Sequence, residues 1–466
     1  MRRALGWLLL SLLSCSCAQS VLRRQTRGAS SSKVKHSHEG WFQQKLDHLS
    51  KNVPSFWKQR YYMNDAFYKR GGPVFLFIEG SKDTNIDWIT SNYTWITYAQ
   101  RLGALCFLLE HRFYGQSQPT GNVNIVSLRY LSSKQALADI VYFQTEMAKE
   151  MGLRRNKWVT FGCSYGGSLA VWSRMKYPKL FAAAVGSSAP VIAKVDFFEY
   201  LEVLQQSLDT YNSGCSKAVK SASDHIVAML KHPKHHSKLT QDFRLCKPLK
   251  IHSLMDEAYF LERLINILHR IVQYHKNETI KVQRRAVQID DFCDMMTDNS
   301  LGSFYDRYVR FVDIMLQNEN RHCLQADYLD YVMTRSNPLL DVPNTQARQW
   351  LYQACTEFGF FLTTESKTQP FSGVPLRYFL KKCSDIFGSE FTYSSLTAGV
   401  SATNMYYGGL DMKGSKIIFP SGSIDPWHAV GITKDISKSL PAVFIKGKVK
   451  HIVQMYTYKR SQIQLN

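Results

Sequence analysis

The chain has 466 residues, of which 45% are hydrophobic and 13% aromatic. This composition predicts a packed globule and excludes an intrinsically disordered chain, and the length fits one large core that carries an insertion. The formal net charge of +21 is compatible with binding to nucleic acid. However, the Lys and Arg side chains are scattered and no recognised nucleic-acid-binding module is present, so we expect no nucleic-acid partner.

The first residues have the pattern of a secretory signal peptide. Two arginines precede an apolar run over residues 4–13, and Ser16 and Ala18 supply the small residues of a cleavage site. The run is shorter than the roughly 20 apolar residues that a bilayer span needs, and no later stretch is longer, so we expect no stable membrane insertion. We assign residues 1–18 to the signal peptide and residues 19–39 to a flexible leader or pro-segment.

Cysteine usage fits an oxidising compartment, where disulfides are the default. Cys106 lies in an apolar run and Cys163 in a Gly-rich motif, so we expect both to be buried and outside the disulfides. No cysteine or histidine spacing indicates a zinc site, and we expect neither a metal nor a cofactor. Two sequons predict glycosylation at Asn92 and Asn277. Cys15 and Cys17 belong to the predicted signal peptide and are removed with it. Three disulfides, in a pairing that the sequence leaves open, are expected among the remaining six cysteines, which are Cys215, Cys246, Cys293, Cys323, Cys355 and Cys383.

Short apolar runs alternate with helical segments over residues 40–194. The runs occupy residues 73–78, 104–109, 158–161 and 182–185. Because strands that are buried on both faces read as continuous apolar runs, the pattern predicts a parallel sheet flanked by helices. One of these helices is predicted from Ser133 to Met151, with Ser132 and Gln135 forming a capping box at its start.

The periodicity becomes helical over residues 195–375, and the apolar stripe is strongest over residues 261–272. Five of the six remaining cysteines fall in this range. We therefore predict a helical, disulfide-linked cap that is inserted over the sheet. The alternating pattern returns over residues 376–466, where strands are predicted at residues 416–420 and 442–446.

The segment from Gly162 to Gly166 matches G-x-S-x-G between a predicted strand and a predicted helix. In the α/β-hydrolase fold this motif forms a tight turn that lifts a nucleophilic serine to the C-terminal edge of the sheet. We therefore predict Ser164 as the nucleophile of an α/β-hydrolase fold. The backbone amide of Tyr165 is expected to stabilise the oxyanion, and a second amide is expected near Gly80, where an ordinary surface loop is the alternative.

A serine nucleophile needs a base and an orienting acid, which this fold supplies in the chain order Ser, acid, His. Asp425 follows the predicted strand at residues 416–420, although an Asp before Pro also fits a helix cap. His428 lies in the same loop as Asp425, whereas His451 follows the predicted strand at residues 442–446, where the base belongs. We therefore assign the acid to Asp425 and the base to His451.

Several further segments resemble a family of serine exopeptidases that includes lysosomal Pro-Xaa carboxypeptidase, dipeptidyl peptidase II and thymus-specific serine protease. The resemblance implies a helical cap on an α/β-hydrolase domain and hydrolysis of peptides, often near proline, in acidic vesicles. It places the triad on Ser164, Asp425 and His451. The segments that carry it are Gln44–His48, Glu110–Gly115, Ser187–Val191, Cys355–Gly359, Asn404–Gly409, Asp425–His428 and His451–Tyr456.

From these observations we expect a serine-type exopeptidase that hydrolyses short peptides in the secretory pathway, either in lysosomal or endosomal vesicles or outside the cell. Two alternatives stay open. Glu79-Gly80-Ser81 stands where the family has Gly-Gly-Glu, which favours a catalytically impaired homologue that binds peptides. The same fold also carries esterases. A homodimer is compatible with the sequence.

Overall fold

A computed structural model describes residues 36–51, 54–91, 93–250, 253–273, 287–340 and 345–447. The predicted signal peptide and most of the leader lie outside these residues. The predicted glycosylation sites, Asn92 and Asn277, and the predicted base, His451, also lie outside them. In the described part of the chain, no helix is long and apolar enough to cross a membrane.

An eight-stranded sheet forms the centre of the structure, in the order β1-β2-β4-β3-β5-β6-β9-β10. The strands are β1 (Ser37–Lys45), β2 (Phe56–Asn64), β3 (Val74–Ile78), β4 (Leu105–Leu109), β5 (Trp158–Cys163), β6 (Phe181–Ser187), β7 (Lys194–Asp196), β8 (Gly359–Phe361), β9 (Ile417–Gly422) and β10 (Ala442–Ile445). The neighbours from β4 to β10 in this order pair in parallel, whereas β1 and β2 pair antiparallel at one edge. Strands β7 and β8 form a separate parallel pair.

The described residues form fifteen α-helices, which lie between the strands along the chain. They are α1 (Asp87–Thr90), α2 (Thr94–Leu102), α3 (Ile125–Leu128), α4 (Ser133–Glu150), α5 (Tyr165–Lys176), α6 (Glu199–Tyr211), α7 (Cys215–Leu230), α8 (His236–Asp242), α9 (Leu254–Gln273), α10 (Ile289–Thr297), α11 (Phe304–Asn318), α12 (Tyr328–Ser336), α13 (Thr345–Gln353), α14 (Leu376–Phe387) and α15 (Tyr393–Tyr407). A short π-helix, Ala354–Phe358, joins α13 to β8.

The apolar runs of the sequence form the strands in the middle of the sheet. Every residue of β3 and β4 is buried, as expected for strands that helices cover on both faces. The prediction of an α/β-hydrolase fold with a helical cap is confirmed. The sheet carries helices α4 and α5 between its parallel strands, and helices α6 to α15, with the pair β7 and β8, lie between β6 and β9.

The start of helix α4 differs in part from the prediction. The Ser132 side chain accepts a hydrogen bond from the Gln135 N–H at 3.2 Å, as a cap should. The Gln135 side chain, however, donates to the Asp47 carboxylate at 2.5 Å and accepts from the His48 N–H at 3.0 Å. The reciprocal half of the predicted capping box is therefore absent, because Gln135 ties the helix to the N-terminal hairpin instead.

All three disulfides of the described residues lie between β6 and β9, and the third joins the predicted cap to Cys383, just beyond its predicted end at residue 375. They join Cys215 to Cys293, Cys246 to Cys323 and Cys355 to Cys383, which are the six cysteines that the sequence predicts. Within the described residues, Cys106 and Cys163 form no disulfide. Cys106 is buried as expected, but the expectation of burial is wrong for Cys163, which is only partly buried because it lines a cavity beside Ser164.

Candidate active site

Ser164 lies at the turn between strand β5 and helix α5. Its backbone has φ +57° and ψ −133°, a conformation that a residue with a side chain rarely adopts and that indicates stored strain. Its N–H donates to the Ser187 carbonyl at 2.9 Å, which holds the turn against strand β6. The geometry is that of a nucleophile turn, with the serine directly before the first residue of a helix.

Two glycines permit this turn because a side chain at either position would overlap neighbouring backbone. A Cβ atom at Gly162 would overlap the carbonyl oxygen of Gly166. A Cβ atom at Gly166 would overlap the carbonyl oxygen of Ile78, at the end of strand β3. The glycine spacing of the motif therefore follows from the close approach of β3, β5 and the start of α5.

The other triad positions follow strands that run parallel to β5. Strand β6 lies beside β5, β9 beside β6 and β10 beside β9, so the C-terminal ends of these strands share one edge of the sheet. Asp425 comes three residues after the end of β9, and the described chain ends two residues after β10, at Gly447. Since His451 lies outside the described residues, its place in the site stays a prediction.

Asp425 is fully buried, with 0% of its surface exposed. Its Oδ1 atom accepts a hydrogen bond from the Trp427 N–H at 3.2 Å, and it thereby caps the short helix Pro426–Val430. The alternative role of Asp425, as a helix cap, is thus present in the structure, and it is compatible with a second role for the same carboxylate.

His428, the competing candidate for the base, turns toward the backbone of its own loop. Its Nδ1 atom donates to the carbonyl oxygen of Asp425 at 2.7 Å, and burial lowers its pKa below the usual value. The side chain is absent from the lining of the Ser164 cavity in the described residues. This placement disfavours His428 as the group that takes the proton of Ser164.

A cavity of about 270 Å³ opens above Ser164. Helix α9, helix α13 and the loops after β3 and β9 contribute its walls. Within the described residues, no cluster of His, Cys, Asp and Glu side chains could hold a metal ion. The cavity is lined by Phe77, Glu79, Gly80, Ser81, Lys82, Asp83, Trp88, Cys163, Ser164, Tyr165, His269, Gln273, Trp350 and Trp427.

Sequence reasoning did not select the cap residues of this lining. His269 and Gln273 lie on helix α9 beside the apolar stripe, and Trp350 lies on helix α13, so each reads as an ordinary amphipathic helix position. Trp427, which follows β9, could have been selected from the sequence, because it belongs to the Asp-Pro-Trp segment that carries the candidate acid. The cap therefore contributes two polar side chains, His269 and Gln273, and one aromatic ring, Trp350, to the wall that faces Ser164.

The loop that holds Gly80 packs directly against the nucleophile turn. A Cβ atom at Gly80 would lie 2.8 Å from the backbone nitrogen of Gly166, so only glycine fits there. The Gly80 N–H donates to the Oε1 atom of Glu79 at 3.1 Å. Burial raises the pKa of Glu79 to about 7, although this hydrogen bond and the charge of Lys82 act in the opposite direction. The carboxylate thus changes charge near neutral pH at the wall of the cavity.

A buried hydrogen-bond network holds the side chain of Tyr165, the residue after Ser164. The His111 Nδ1 atom donates to the Arg112 carbonyl at 2.7 Å, and the His111 Nε2 atom lies 3.1 Å from the Tyr165 hydroxyl. Burial lowers the pKa of His111 to about 4, so Nε2 is an acceptor for that hydroxyl. The Gln353 side chain donates to the same hydroxyl at 3.2 Å. The side-chain hydroxyl of Tyr165 is therefore held by His111 and by Gln353.

Glu357 connects this network to the cap. Its carboxylate accepts from the Ser133 N–H at 3.0 Å and from the Ser133 hydroxyl at 2.8 Å. It also accepts from the Gln353 side chain at 3.3 Å. Because Ser133 begins helix α4 and Glu357 belongs to the π-helix, the segment Ala354–Phe358 joins the cap to the sheet beneath Tyr165. The segment Cys355–Gly359 carries part of the family resemblance, but sequence reasoning assigned no role to Glu357.

A serine on a strained strand-to-helix turn, at the C-terminal edge of a parallel sheet and beneath a helical cap, defines a serine hydrolase of the α/β-hydrolase fold. The sequence profile of the family described as Serine carboxypeptidase S28 matches residues 44–464. The chain belongs to this family of serine peptidases, as the sequence motifs predict.

Relatives of known name cover most of the chain. Thymus-specific serine protease from Mus musculus is 34% identical over 420 residues, which is 87% of this chain and 80% of that protein. The candidate serine protease K12H4.7 from Caenorhabditis elegans is 33% identical and covers 89% of this chain and 82% of its own length. Lysosomal Pro-X carboxypeptidase from Homo sapiens is 28% identical, and the match spans 88% of this chain and 82% of that protein.

Proposed function

We propose that the protein is an exopeptidase that hydrolyses short peptides through a triad of Ser164, Asp425 and His451. The observation that carries the proposal is the strained backbone of Ser164 at the floor of a cavity of about 270 Å³. The cap narrows access to this floor, which favours short peptides over folded proteins. The printed name of the human relative, a Pro-X carboxypeptidase, supports a preference for bonds near proline.

The reaction follows the general scheme of serine acyl transfer. The Ser164 hydroxyl attacks the peptide carbonyl while His451 takes its proton, and Asp425 orients the imidazole. The backbone amides of Tyr165 and Gly80 stabilise the oxyanion. His451 then gives the proton to the leaving amine, and water hydrolyses the acyl-enzyme in a second step that restores the Ser164 hydroxyl.

Digestion of a library of short peptides, read by mass spectrometry, tests the substrate class. We expect removal of residues from one end of the peptides at acidic pH, with proline enriched beside the cleaved bond and no cleavage by a Ser164→Ala variant. Internal cleavage of long chains would contradict the exopeptidase assignment. Hydrolysis of short acyl esters without any peptide turnover would support an esterase instead.

One observation favours a second candidate, a peptide-binding homologue without turnover. The amide of Gly80, which should stabilise the oxyanion, is hydrogen-bonded to the carboxylate of its neighbour Glu79. An amide that keeps this hydrogen bond does not stabilise the oxyanion. Peptide binding by a cooperatively folding protein that cleaves nothing and does not react with a serine probe would select this candidate.

The secretory route belongs to the same proposal. We propose that residues 1–18 direct the chain into the secretory pathway, that Asn92 and Asn277 carry glycans, and that the protein acts in lysosomal or endosomal vesicles or outside the cell. The three disulfides and the lysosomal name of the human relative support this location. Glycosidase digestion of the secreted protein, followed by a mass measurement, tests both glycan sites.

A further inference from the structure

A second cavity, of about 300 Å³, lies inside the cap. Helices α9, α12, α13 and α14 and strand β8 contribute its walls. Trp350 lines both this cap cavity and the cavity above Ser164. Phe360 of the cap cavity also packs on Trp427 of the catalytic one, with 5.3 Å between ring centroids. The two cavities therefore adjoin across a wall of aromatic side chains.

Six of the residues that line the cap cavity are aromatic. Such a lining suits a ligand with an apolar or aromatic body. Burial of that body against the rings is favourable, because the ring faces offer few hydrogen bonds to water. The rings belong to Tyr259, Tyr331, Trp350, Phe360, Phe361 and Phe379.

The charges in the described lining are unbalanced. Three cationic side chains, Arg263, Arg335 and Lys382, face a single carboxylate, Glu262. Lys382 is 4% exposed, and its Nζ atom lies 2.8 and 2.9 Å from the two carboxylate oxygens of Glu262. These two charges offset each other, so the lining keeps a surplus of positive charge.

Arg263 is the clearest source of this surplus. Its Nε atom is buried and has no hydrogen-bond acceptor in the described part of the chain. Its charge also acts on Arg321, whose pKa is lowered by burial and by the nearby Arg263 guanidinium. A buried N–H without an acceptor costs free energy, and the positive charge of Arg263 disfavours the charged form of Arg321. An anion bound at Arg263 would relieve both costs.

We propose that the cap cavity is a binding subsite for a carboxylate carried on an apolar or aromatic body, and that Arg263 binds the carboxylate. A guanidinium donates two parallel N–H bonds to a carboxylate and so fixes its orientation. The inference rests on the proposed peptidase function, because peptides carry this chemistry at their carboxyl terminus and on acidic side chains. Trp350, which lines both cavities, would separate such a carboxylate from the cavity above Ser164.

Three peptides of one length test the proposal. The first ends in Phe with a free carboxylate, the second is its amide, and the third is the amide with one Glu beside the terminal Phe. Their Kd values are measured by calorimetry on a Ser164→Ala variant. We expect one of the two carboxylates to bind about tenfold or more tightly than the neutral amide, as for a charged hydrogen bond. The tighter of the two identifies the source of the carboxylate.

Substitutions at Arg263 link that preference to the cap cavity. Arg263→Met should remove it, and Arg263→Lys should keep part of it. Arg310→Gln is the matched control, since it removes one exposed cation from cap helix α11 and should keep the whole preference. Equal binding of all three peptides by the parent variant would overturn the proposal, as would an unchanged preference in Arg263→Met.

The Kd measurements do not depend on whether the protein hydrolyses peptides. A carboxylate preference that depends on Arg263, without any hydrolysis by the unsubstituted protein, would refute the proposed peptidase function and leave the subsite in place. Hydrolysis of all three peptides with equal kcat/KM and equal Kd would refute the subsite and leave the peptidase function in place.

Discussion

The carboxylate of Glu79 accepts a hydrogen bond from the backbone N–H of Gly80 at 3.1 Å, at the wall of the cavity above Ser164. Burial raises the pKa of this carboxylate to about 7. In the proposed mechanism, an ionised Glu79 competes with the oxyanion for the Gly80 amide and repels the developing negative charge. A protonated Glu79 carries no charge and is a weaker acceptor for that amide, so we expect catalysis to be favoured in acidic surroundings.

Glu79→Gln should change the pH dependence of catalysis. In the unsubstituted protein we expect kcat/KM to fall as the pH rises through about 7, because Glu79 ionises there. The neutral glutamine should remove this fall. The profile is measured with one short peptide between acidic and mildly alkaline pH. Asp87→Asn, which removes an exposed carboxylate from helix α1, is the control, and an identical fall in Glu79→Gln would contradict the assignment.

The same carboxylate should make folding stability depend on pH. Its folded pKa, about 7, is higher than the ordinary value of 4.5, so the folded state binds the proton more tightly than the unfolded state. Its contribution to stability is therefore present below about pH 4.5 and is lost as the pH rises through about 7. We expect the drop in Tm across this window to be smaller in Glu79→Gln. A drop of equal size in both proteins would assign the effect to other groups.

Gly162→Ala should destabilise the nucleophile turn, because the added methyl group overlaps the carbonyl oxygen of Gly166. We expect a loss of about 2–3 kcal/mol in the free energy of unfolding, measured by urea denaturation. Gly121→Ala is the matched control, since a Cβ atom there meets nothing within 4 Å. A Gly162→Ala protein of full stability would mean that the turn is looser than the structure shows.

Removal of one disulfide at a time should distinguish a bridge that only stabilises the fold from a bridge that also positions Tyr165. Replacing both Cys355 and Cys383 by serine should cost about 2–4 kcal/mol and also lower kcat, because this bridge begins within the π-helix. That helix contacts Tyr165 through Phe358, with 5.2 Å between ring centroids. The same double replacement at the Cys246–Cys323 bridge should lower Tm but leave kcat unchanged. Equal losses of kcat in both variants would contradict the role of the π-helix.

Substitutions at His428 and His451 should differ strongly in their effect on activity. His428 is held by the carbonyl oxygen of Asp425, so His428→Gln should retain most of the activity. His451→Gln should reduce kcat by at least about a thousandfold, as loss of a triad base does. Peptide hydrolysis by proteins of equal Tm is the measurement. The reverse order would move the base to His428.

The sequence predicted the parts of the site that short-range patterns encode. The strands around Ser164 are continuous apolar runs, and the turn needs glycine at Gly162 and Gly166, so both have local signatures. Asp425 could be selected because it follows such a run in the expected chain order. The pairing of the cysteines could not be selected in this way, because it depends on how the cap helices pack.

The N-terminal hairpin was missed as secondary structure for a physical reason. Several of its buried side chains are polar, and long-range partners satisfy them. Gln44 donates to Gln59 at 2.9 Å, and Gln59 donates to the Glu110 carbonyl at 2.7 Å. Strand prediction relies on apolar residues at alternate positions, and these strands place glutamines inside. The network of His111, Gln353 and Tyr165 escapes sequence reasoning for the same reason.

Reaction with a fluorophosphonate probe tests the central claim most directly. The probe forms a covalent bond only with an activated serine, and the modified residue is identified by mass spectrometry of the digested protein. We predict a single adduct, on Ser164, at acidic pH, and no adduct in a folded Ser164→Ala variant. A cooperatively folded protein that gains no adduct at acidic or neutral pH, or an adduct that persists in Ser164→Ala, would contradict the assignment of Ser164 as the nucleophile.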